Sequence, residues 1–424
     1  MIRTKEINNK AIVDKVILCV MVTLHVIYSF STYFSSLLGF SSMMGFGLVL
    51  LGISLYYAVH VNTKYRVTPF IKAYNILVLM FAAYGIFRAI GGEVLFVGYR
   101  SVSSVYYIGD TLTSLMPFYA YYVLSKREVI GDWFIRIVFF AVLAFSILYY
   151  NLIEANYLVT HTNENVTNNV AYFFVALLPF VPFFSGKRIV QYAIIMVISF
   201  FLLNGMKRGA ILCGALSILI FIYHELKQTN STRRIYFIIL TCIAIYFIGL
   251  YVFDLLNTSD YFVFRLEETM EGSVSGRDRL EAQIFYYLLN EANIFQLLVG
   301  RGADGTLEVT YNYAHNDWLE IAVNQGLLGV VIYLSFFVAF FRQIRSANVP
   351  KDYKVSLAML YVILFTRTLF SMSYSEYNLS ESLIMGYLMA HCTSINIVVS
   401  NSKLRRVRWQ KPPKTVLFKP GRQN

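Results

Sequence analysis

Apolar residues in this sequence are grouped in runs of about twenty, and short polar linkers separate the runs. A transmembrane helix needs about 20 consecutive apolar residues, so each run predicts a membrane-spanning helix. We predict an all-α polytopic membrane protein with about 12 transmembrane helices. The predicted spans are residues 16–34, 38–60, 70–90, 104–124, 133–152, 169–185, 189–205, 209–226, 234–256, 325–341, 354–373 and 380–399.

The connections between these runs divide the chain into regions. Residues 1–256 hold spans one to nine, with a modest outer loop at 153–168. A large loop at 257–324 follows, and spans ten to twelve occupy residues 325–399 before a basic tail at 400–424. Long ordered loops usually carry function, so the large loop is the expected location of the chemistry.

Composition agrees with the membrane class. The chain has 424 residues, of which 57% are hydrophobic and 14% are charged. Soluble domains carry about 25% charged residues, well above this value. The first run begins near Ile17 and has no small-residue cleavage site before a soluble domain, so we expect a retained helix rather than a signal peptide.

Lysine and arginine are distributed unevenly between the two ends of the predicted spans. Both termini and every second linker hold 27 of the 36 basic residues, whereas 18 of the 24 acidic residues lie on the other side. Basic residues mark the cytoplasmic side of a membrane protein, so both termini are predicted to be cytoplasmic. The formal charge of +12 thus reflects topology, and we expect the tail to lie near anionic lipid rather than to bind nucleic acid.

Nine cations remain on the outward side, where topology does not require them. They are Arg88, Arg100, Lys207, Arg208, Arg265, Arg277, Arg279, Arg301 and Arg367. An arginine in a span is costly and usually faces a protein interior or a wet cavity. For Arg88, Arg100 and Arg367, a pair with an outer carboxylate or an extension to lipid headgroups is an equally good interpretation.

The stretch "GMKRG", residues 205–209, predicts a tight outer turn between spans seven and eight. Glycine lets the backbone approach a ligand closely, and adjacent cations suit a phosphate or a diphosphate. Lys207 and Arg208 are therefore candidate anion-binding residues.

The large loop contains a predicted helix start in "GSVSGRDRLEAQIFYYLL". Ser275 and Asp278 have the spacing of a capping box, and apolar residues follow at helical intervals. At the first turn of this helix, Arg277 would add a guanidinium to free backbone N–H groups and so form an anion site. The alternative is an ion pair between Arg277 and Glu281, and the sequence leaves both interpretations open.

The stretch "YNYAHNDWLEIAVNQGLLG", residues 311–329, puts a histidine among carboxylates and amides beside predicted span ten. Asn316 is predicted to cap a helix, with Asp317 at its positive end and Gly326 at its close. His315 lies just ahead of this helix, where an imidazole could take the proton of a sugar hydroxyl. A lone histidine is more often structural, so that interpretation also stays open.

These motifs resemble those of the O-antigen ligase and polymerase superfamily, bacterial cell-envelope glycosyltransferases of the GT-C type. "HNDWLEIAVNQGLLG" resembles the signature of His-Asn, two residues, Leu-Glu, a short apolar stretch and Gly-Leu-Leu-Gly entering a helix. "KRGAIL" resembles the Ser-Arg-Gly segment, with Lys207 where serine is common, and "SGRDRLEAQ" and "LLVGRGADG" resemble the loop motifs. The resemblance covers residues 200–341, whereas the first half matches only in hydropathy and in number of spans.

The resemblance implies a site at the periplasmic face of the bacterial inner membrane, in a cavity under the large loop. It implies a glycan donor on undecaprenyl diphosphate and metal-independent, inverting transfer without a cofactor. Arg208 and Arg277 would bind the donor diphosphate, and His315 would activate the acceptor hydroxyl. The further candidate substrate-binding residues are Lys207, Arg279, Arg301, Asn316, Glu320, Arg88 and Arg367.

Two products are compatible with this family. A polymerase joins lipid-linked repeat units and must hold two lipid-diphosphate substrates, and a chain-length regulator is a potential partner. A ligase moves the finished chain onto a lipid A-core or a protein. The surplus of outward cations slightly favours the polymerase. A transporter would instead need charges along a path through the membrane and internal repeats; the sequence shows no internal repeat, and its polar residues crowd the outer face rather than the midplane.

Overall fold

The computed structural model describes residues 2–31, 34, 38–91, 94–97, 100–160, 168–228, 231–258, 263, 266–267, 277–371, 373–374 and 378–392. Most of these residues are helical, as predicted. The predicted basic tail, the Ser275 cap and the end of span twelve lie outside the described residues, as does Arg265.

The first half of the described chain contains long helices and one hairpin. The helices are α1 (Ile2–Ser29), α2 (Phe40–Lys64), α3 (Pro69–Gly91), α4 (Ser104–Leu115), α5 (Pro117–Lys126) and α6 (Asp132–Thr160). Strands β1 (Val94–Val97) and β2 (Arg100–Ser103) pair antiparallel between α3 and α4. The hairpin has only four residues in each strand, so the described chain is predominantly helical, as predicted. The predicted loop at 153–168 is also wrong in its first part, because α6 continues through it.

The second half begins with α7 (Ala171–Val175), a 3₁₀ segment (Leu178–Phe184), α8 (Arg188–Asn204), α9 (Arg208–Gln228) and α10 (Ser231–Thr258). The large loop forms short helices: α11 (Arg277–Tyr286) with a π turn (Tyr287–Glu291), α12 (Ile294–Val299), α13 (Gly305–Thr310) and α14 (Asp317–Asn324). It is followed by α15 (Gly326–Ser346), α16 (Lys351–Arg367) and helical residues 379–392, here called α17.

Within the described chain, seven helices are long and apolar enough to cross a membrane. They are Ala11–Ser29, Ser42–Lys64, Pro69–Gly91, Asp132–Ala155, Arg208–Lys227, Arg234–Thr258 and Gly326–Ser346. These segments correspond to predicted spans one, two, three, five, eight, nine and ten, and they make the chain a polytopic membrane protein.

The other predicted spans are interrupted or shorter than a full crossing helix. Span four breaks at Met116, because Pro117 has no N–H to continue the helix and starts a new one. Span six is a five-residue helix followed by a 3₁₀ segment that contains Pro179 and Pro182. Span seven is a 17-residue helix, and span eleven ends as a helix at Arg367. Twelve complete spans therefore stay a prediction.

The long helices pack in antiparallel pairs that define one end of the molecule. Gly209 at the start of α9 lies against Phe370 just after α16, and Cys213 Sγ lies 4.0 Å from the carbonyl of Ile363. The start of α9 and the end of α16 are therefore neighbours. Trp318 of α14 joins them, because its Nε1–H donates to Thr368 Oγ1 at 2.9 Å.

Helices α3 and α15 form a second antiparallel pair. The rings of Phe70 and Phe340 are 5.2 Å apart, and those of Tyr74 and Phe336 are 5.8 Å apart. At the far end of α3, the Tyr84 hydroxyl donates to the carbonyl of Val299. The end of α3, the start of α15 and the helices of the large loop thus meet at the same end as the start of α9.

Candidate active site

Asn316 caps α14, as the sequence predicts. Its backbone is extended, with φ −147°, and its Oδ1 accepts the N–H of Trp318 at 3.0 Å and of Leu319 at 3.4 Å. Gly326, with φ 65°, follows the end of this helix as predicted. The Asn316 side chain is thus engaged by the helix, which argues against its predicted role in substrate binding. His315 precedes the cap with a left-handed backbone, φ 53°, and its side chain is half-buried.

Glu320 holds the backbone immediately before His315. The side chain is fully buried, and its Oε2 accepts the Ala314 N–H at 2.8 Å while Oε1 accepts Asn324 Nδ2–H at 3.1 Å. Burial raises the pKa of this carboxyl to about 7, and the Ala314 bond opposes that rise. In the structure the Glu320 carboxylate supports the histidine loop, and its role in substrate binding stays a prediction.

Helix α16 ends at Arg367, before the predicted end of span eleven at residue 373. The residues that follow, 368–371 and 373, are called here the post-α16 segment. Its first turn still bonds to the helix, since the Phe370 N–H donates to the Arg367 carbonyl at 3.0 Å. The helix of span eleven is therefore shorter than predicted. The post-α16 segment that replaces its end contacts each part of the candidate site.

Asp317 joins α14 to the post-α16 segment. Its N–H donates to the Thr368 carbonyl at 2.8 Å, and its Oδ1 accepts the Ser373 N–H at 2.8 Å. Its Oδ2 accepts the Tyr333 hydroxyl at 2.6 Å and also the Ser373 hydroxyl. Burial raises the pKa of this fully buried carboxyl to about 7, while the bonds from Ser373 and Tyr333 and the charge of Arg367 oppose the rise.

Arg277 and Arg208 also adjoin the post-α16 segment. Arg277 is the first residue of α11, and its Nη1–H donates to the Phe370 carbonyl at 3.2 Å. Arg277 and Glu281 are both described, and no ion pair joins them, so the alternative interpretation of Arg277 is not the one observed. Arg208 is the first residue of α9, and a Cβ at the next residue, Gly209, would lie 2.9 Å from Phe370 Cβ.

The three segments that carry the predicted catalytic residues therefore meet at one place. Two arginine-bearing helix starts adjoin Phe370, and the helix that follows His315 is bonded to Thr368 and Ser373. Because N–H groups at the start of a helix lack intrahelical partners, both helix starts add positive potential to the guanidinium charges. The arrangement suits an anion beside a histidine.

Arg88 and Arg301 share one carboxylate, that of Glu308. Arg88 Nη2 lies 3.3 Å from Glu308 Oε1, and its Nη1–H donates to the Ala303 carbonyl. Arg301 donates to Glu308 Oε2 from Nε at 3.0 Å and from Nη2 at 2.8 Å, and it stacks over the Tyr287 ring. Arg88 attaches α13 to α3, and Arg301 attaches α13 to the π turn at Tyr287; the predicted substrate contacts of both arginines stay predictions.

Arg367 is also committed to a partner inside the protein. Its Nη1 lies 3.1 Å from Glu381 Oε1, with both side chains almost fully buried. Its guanidinium lies 4.9 Å from the centre of the Tyr172 ring. This pair links the end of α16 to α17, and the substrate contact of Arg367 stays a prediction. Lys207 is half-buried in its turn and Arg279 is exposed on α11, and their predicted substrate contacts also stay predictions.

A third buried carboxyl, that of Asp304, lies near Arg88. Its backbone is left-handed, φ 57°, and its side chain is 4% exposed. Burial raises its pKa to about 6, Arg88 lowers it and Asp110 raises it. In the described part of the chain, no group of three or more histidine, cysteine, aspartate or glutamate side chains is arranged to hold a metal ion.

The post-α16 segment is the part of the site that the sequence analysis missed. Its residues fell inside predicted span eleven, because "LFTRTLFSMS" is largely apolar. The available signal was the hydroxyl residues of this stretch around Arg367, since a charge among several hydroxyls inside an apolar run indicates a polar interior contact.

Comparison with protein-family models and with curated proteins finds no match to this chain. Its function is therefore argued from the residues and the geometry of the site.

Proposed function

We propose that this chain is a membrane-embedded glycosyltransferase that joins undecaprenyl-diphosphate-linked oligosaccharide repeat units into O-antigen or a related surface polysaccharide. Catalysis takes place at the periplasmic face of the bacterial inner membrane. The observation that carries the proposal is the junction at Phe370, which adjoins two arginine-bearing helix starts beside the His315 loop.

The donor diphosphate binds at Arg208 and Arg277. Guanidinium groups form charge-assisted bonds to phosphate oxygens, and helix N-termini favour anions. Negative charge grows on the diphosphate as the glycosidic bond breaks, so cations already fixed near Phe370 stabilise the transition state more than the ground state. The first turns of α9 and α11 therefore supply the leaving-group site.

The acceptor hydroxyl gives its proton to His315. Its oxygen bonds to the anomeric carbon as the bond from that carbon to the diphosphate breaks, and undecaprenyl diphosphate leaves with the electron pair. A single displacement of this kind inverts the anomeric carbon. Glu320 and Asn316 support this step by positioning His315. Glu320 accepts the N–H of Ala314 before the histidine, and Asn316 accepts the N–H of Trp318 after it.

A ligase is the second candidate, and the ion pairs of the site favour it. The polymerase holds two lipid diphosphates, yet Arg88, Arg301 and Arg367 are paired with carboxylates. Arg279, which is exposed on α11, is a described cation that could bind a second anionic substrate. A ligase binds one lipid diphosphate, the donor, and an acceptor that is either a lipid A-core or a protein. It therefore requires fewer cations than a polymerase.

Complementation of a strain that lacks its own copy tests the proposal. The variants are His315→Ala and Arg277→Ala, with Gln283→Ala, an exposed residue of α11, as the matched control. Wild type and the control are expected to restore a ladder of polysaccharide lengths. Both active-site variants are expected to lower transfer by about 100-fold or more at equal protein level.

The parent strain separates the two products. A single-repeat band in the strain without the gene identifies a polymerase, and full-length lipid-linked chains that never reach the core identify a ligase. Ladders from both His315→Ala and Arg277→Ala would show that these residues do not carry the chemistry.

A further inference from the structure

A groove of about 610 Å³ lies between α15 and α16, at the end of α15 opposite the candidate active site. It is lined by Val338, Phe341, Arg342, Arg345, Ser346 and Tyr361. Tyr333, in the first half of α15, makes the contact with Asp317 of the candidate site. The groove residues of α15, from Val338 to Ser346, belong to its last three turns, and Tyr361 belongs to α16. The groove is therefore a separate feature of the molecule.

The groove runs from an apolar wall to a cationic end. Helix α15 has 21 residues, which is about 30 Å and matches the thickness of a bilayer core. Val338 and Phe341 lie within that length and are 40% and 46% exposed. Arg342 and Arg345 follow in the last turns, where the helix reaches the depth of lipid headgroups.

The two arginines face the groove together. They are three residues apart and so lie on one side of the helix, and the Arg345 guanidinium is 5.7 Å from the Phe341 ring centre. Neither forms an ion pair with a carboxylate among the residues that the structure describes, in contrast to Arg88, Arg301 and Arg367 at the other end. Their charge is available to a ligand from outside.

We propose that this groove binds an anionic phospholipid. The phosphate lies between Arg342 and Arg345, and one acyl chain follows Val338, Phe341 and Tyr361. A soluble anion would use the arginines alone and leave the apolar wall empty. A zwitterionic lipid would bring a cationic group to two arginines, so the charge of the groove selects lipids with net negative charge.

Native mass spectrometry of the purified full chain tests this binding, with phosphatidylglycerol, phosphatidylcholine and inorganic phosphate as probes. The variant Arg342→Gln/Arg345→Gln removes the cationic end. The matched control, Lys64→Gln/Arg66→Gln, removes two exposed cations from the same end of the molecule without touching the groove. Val338→Trp fills the apolar wall and leaves the charge unchanged.

Wild type and the control are expected to retain phosphatidylglycerol in preference to phosphatidylcholine. The double arginine variant is expected to bind phosphatidylglycerol at least about tenfold more weakly than wild type does. Val338→Trp should weaken the binding of phosphatidylglycerol and leave the binding of inorganic phosphate unchanged. Equal lipid retention by wild type and the arginine variant would overturn the proposal, as would an equal loss in the control. Full competition by inorganic phosphate would show a site for the free anion. None of these readouts depends on glycosyl transfer.

Discussion

At the scale of single residues, the buried carboxylates of the site act on the backbone rather than on a ligand. Asp317 accepts three hydrogen bonds, and Glu320 accepts the N–H just ahead of His315. A buried ion without such donors would be far more costly than a buried apolar side chain. These two residues therefore set the position of the histidine loop, and their removal should act through that position.

The Asp317→Asn variant is expected to change how stability depends on pH. The pKa of Asp317 rises from 3.8 to about 7 on folding, so the folded protein holds a proton that the unfolded chain releases. The resulting stability is fully present below pH 3.8 and is lost as pH rises to about 7, by up to about 1.4 kcal/mol for each pH unit. Thermal unfolding in detergent between pH 5 and 8 should show a smaller decline for Asp317→Asn than for wild type.

Asp278→Asn, which changes an exposed carboxylate on α11, is the control for this experiment. The stability of this variant should decline with pH in parallel with that of wild type. If Asp317→Asn also runs parallel to wild type, Asp317 does not titrate in this range.

The paired cations show what a sequence can and cannot predict about residues. Charge asymmetry singled out Arg88, Arg301 and Arg367 correctly as unusual, because topology does not explain them. Glu308 is distant in sequence from its partner Arg88, and Glu381 lies in a different helix from its partner Arg367. A pair of this kind depends on packing, so the sequence alone could not separate a paired cation from a ligand-binding one.

At the scale of elements, a glycine contact joins two helices of the large loop, α12 and α14. The backbone of Gly300 adopts φ 85° and ψ −176°, and a Cβ there would collide with the carbonyl group of Asn324. The next two N–H groups, of Arg301 and Gly302, donate to the carbonyls of Val323 and Asn324 at 2.8 and 2.9 Å. The end of α12 thus lies directly on the end of α14, which requires glycine at residue 300.

Gly300→Ala is expected to separate α12 from α14 and to lower both stability and transfer. The cost combines a backbone conformation almost exclusive to glycine, about 1–3 kcal/mol, with the collision at Asn324. Gly302→Ala is the matched control: its φ is 107°, but a Cβ there has open space. Thermal unfolding should show the larger loss for Gly300→Ala. Equal losses would mean that backbone conformation alone, without the collision, determines the effect.

The helices themselves were predicted better than their ends. Apolar runs identified the seven long membrane helices, because burial in lipid demands about 20 apolar residues whatever their order. The same rule could not locate the breaks at Met116 and Arg367, since apolar residues continue through both. The α14 cap was predicted correctly because Asn316 and Gly326 act through local geometry.

At the scale of the whole molecule, the two ends carry different chemistry. The candidate-site end holds buried carboxyls, among them those of Asp304, Asp317 and Glu320, and arginines paired with carboxylates. The other end holds exposed cations such as Lys64 and Arg342, together with the pair of Arg127 and Asp14 at 2.6 Å. The positive-inside rule assigns the second end to the cytoplasm. The orientation is a prediction from sequence alone, because it depends on charge counts rather than on packing.

Cysteine labelling tests this orientation in a chain without the exposed thiols Cys19 and Cys242. Gln283→Cys lies on α11 at the active-site end, and Lys64→Cys lies at the other end; both positions are exposed. A membrane-impermeant maleimide added to spheroplasts should label Gln283→Cys directly and Lys64→Cys only after the membrane is opened. The reverse pattern would place the candidate site in the cytoplasm.

Under the proposed function, the post-α16 segment also determines when the chain gains its activity during synthesis. Translation proceeds from the N-terminus, so Arg208, Arg277 and His315 leave the ribosome before Phe370 and Ser373. A nascent chain that carries all three residues still lacks the segment on which they converge. Under the proposed function, a ribosome stalled before residue 368 would leave an inserted but inert product, and such half-made copies would not consume lipid-linked sugars.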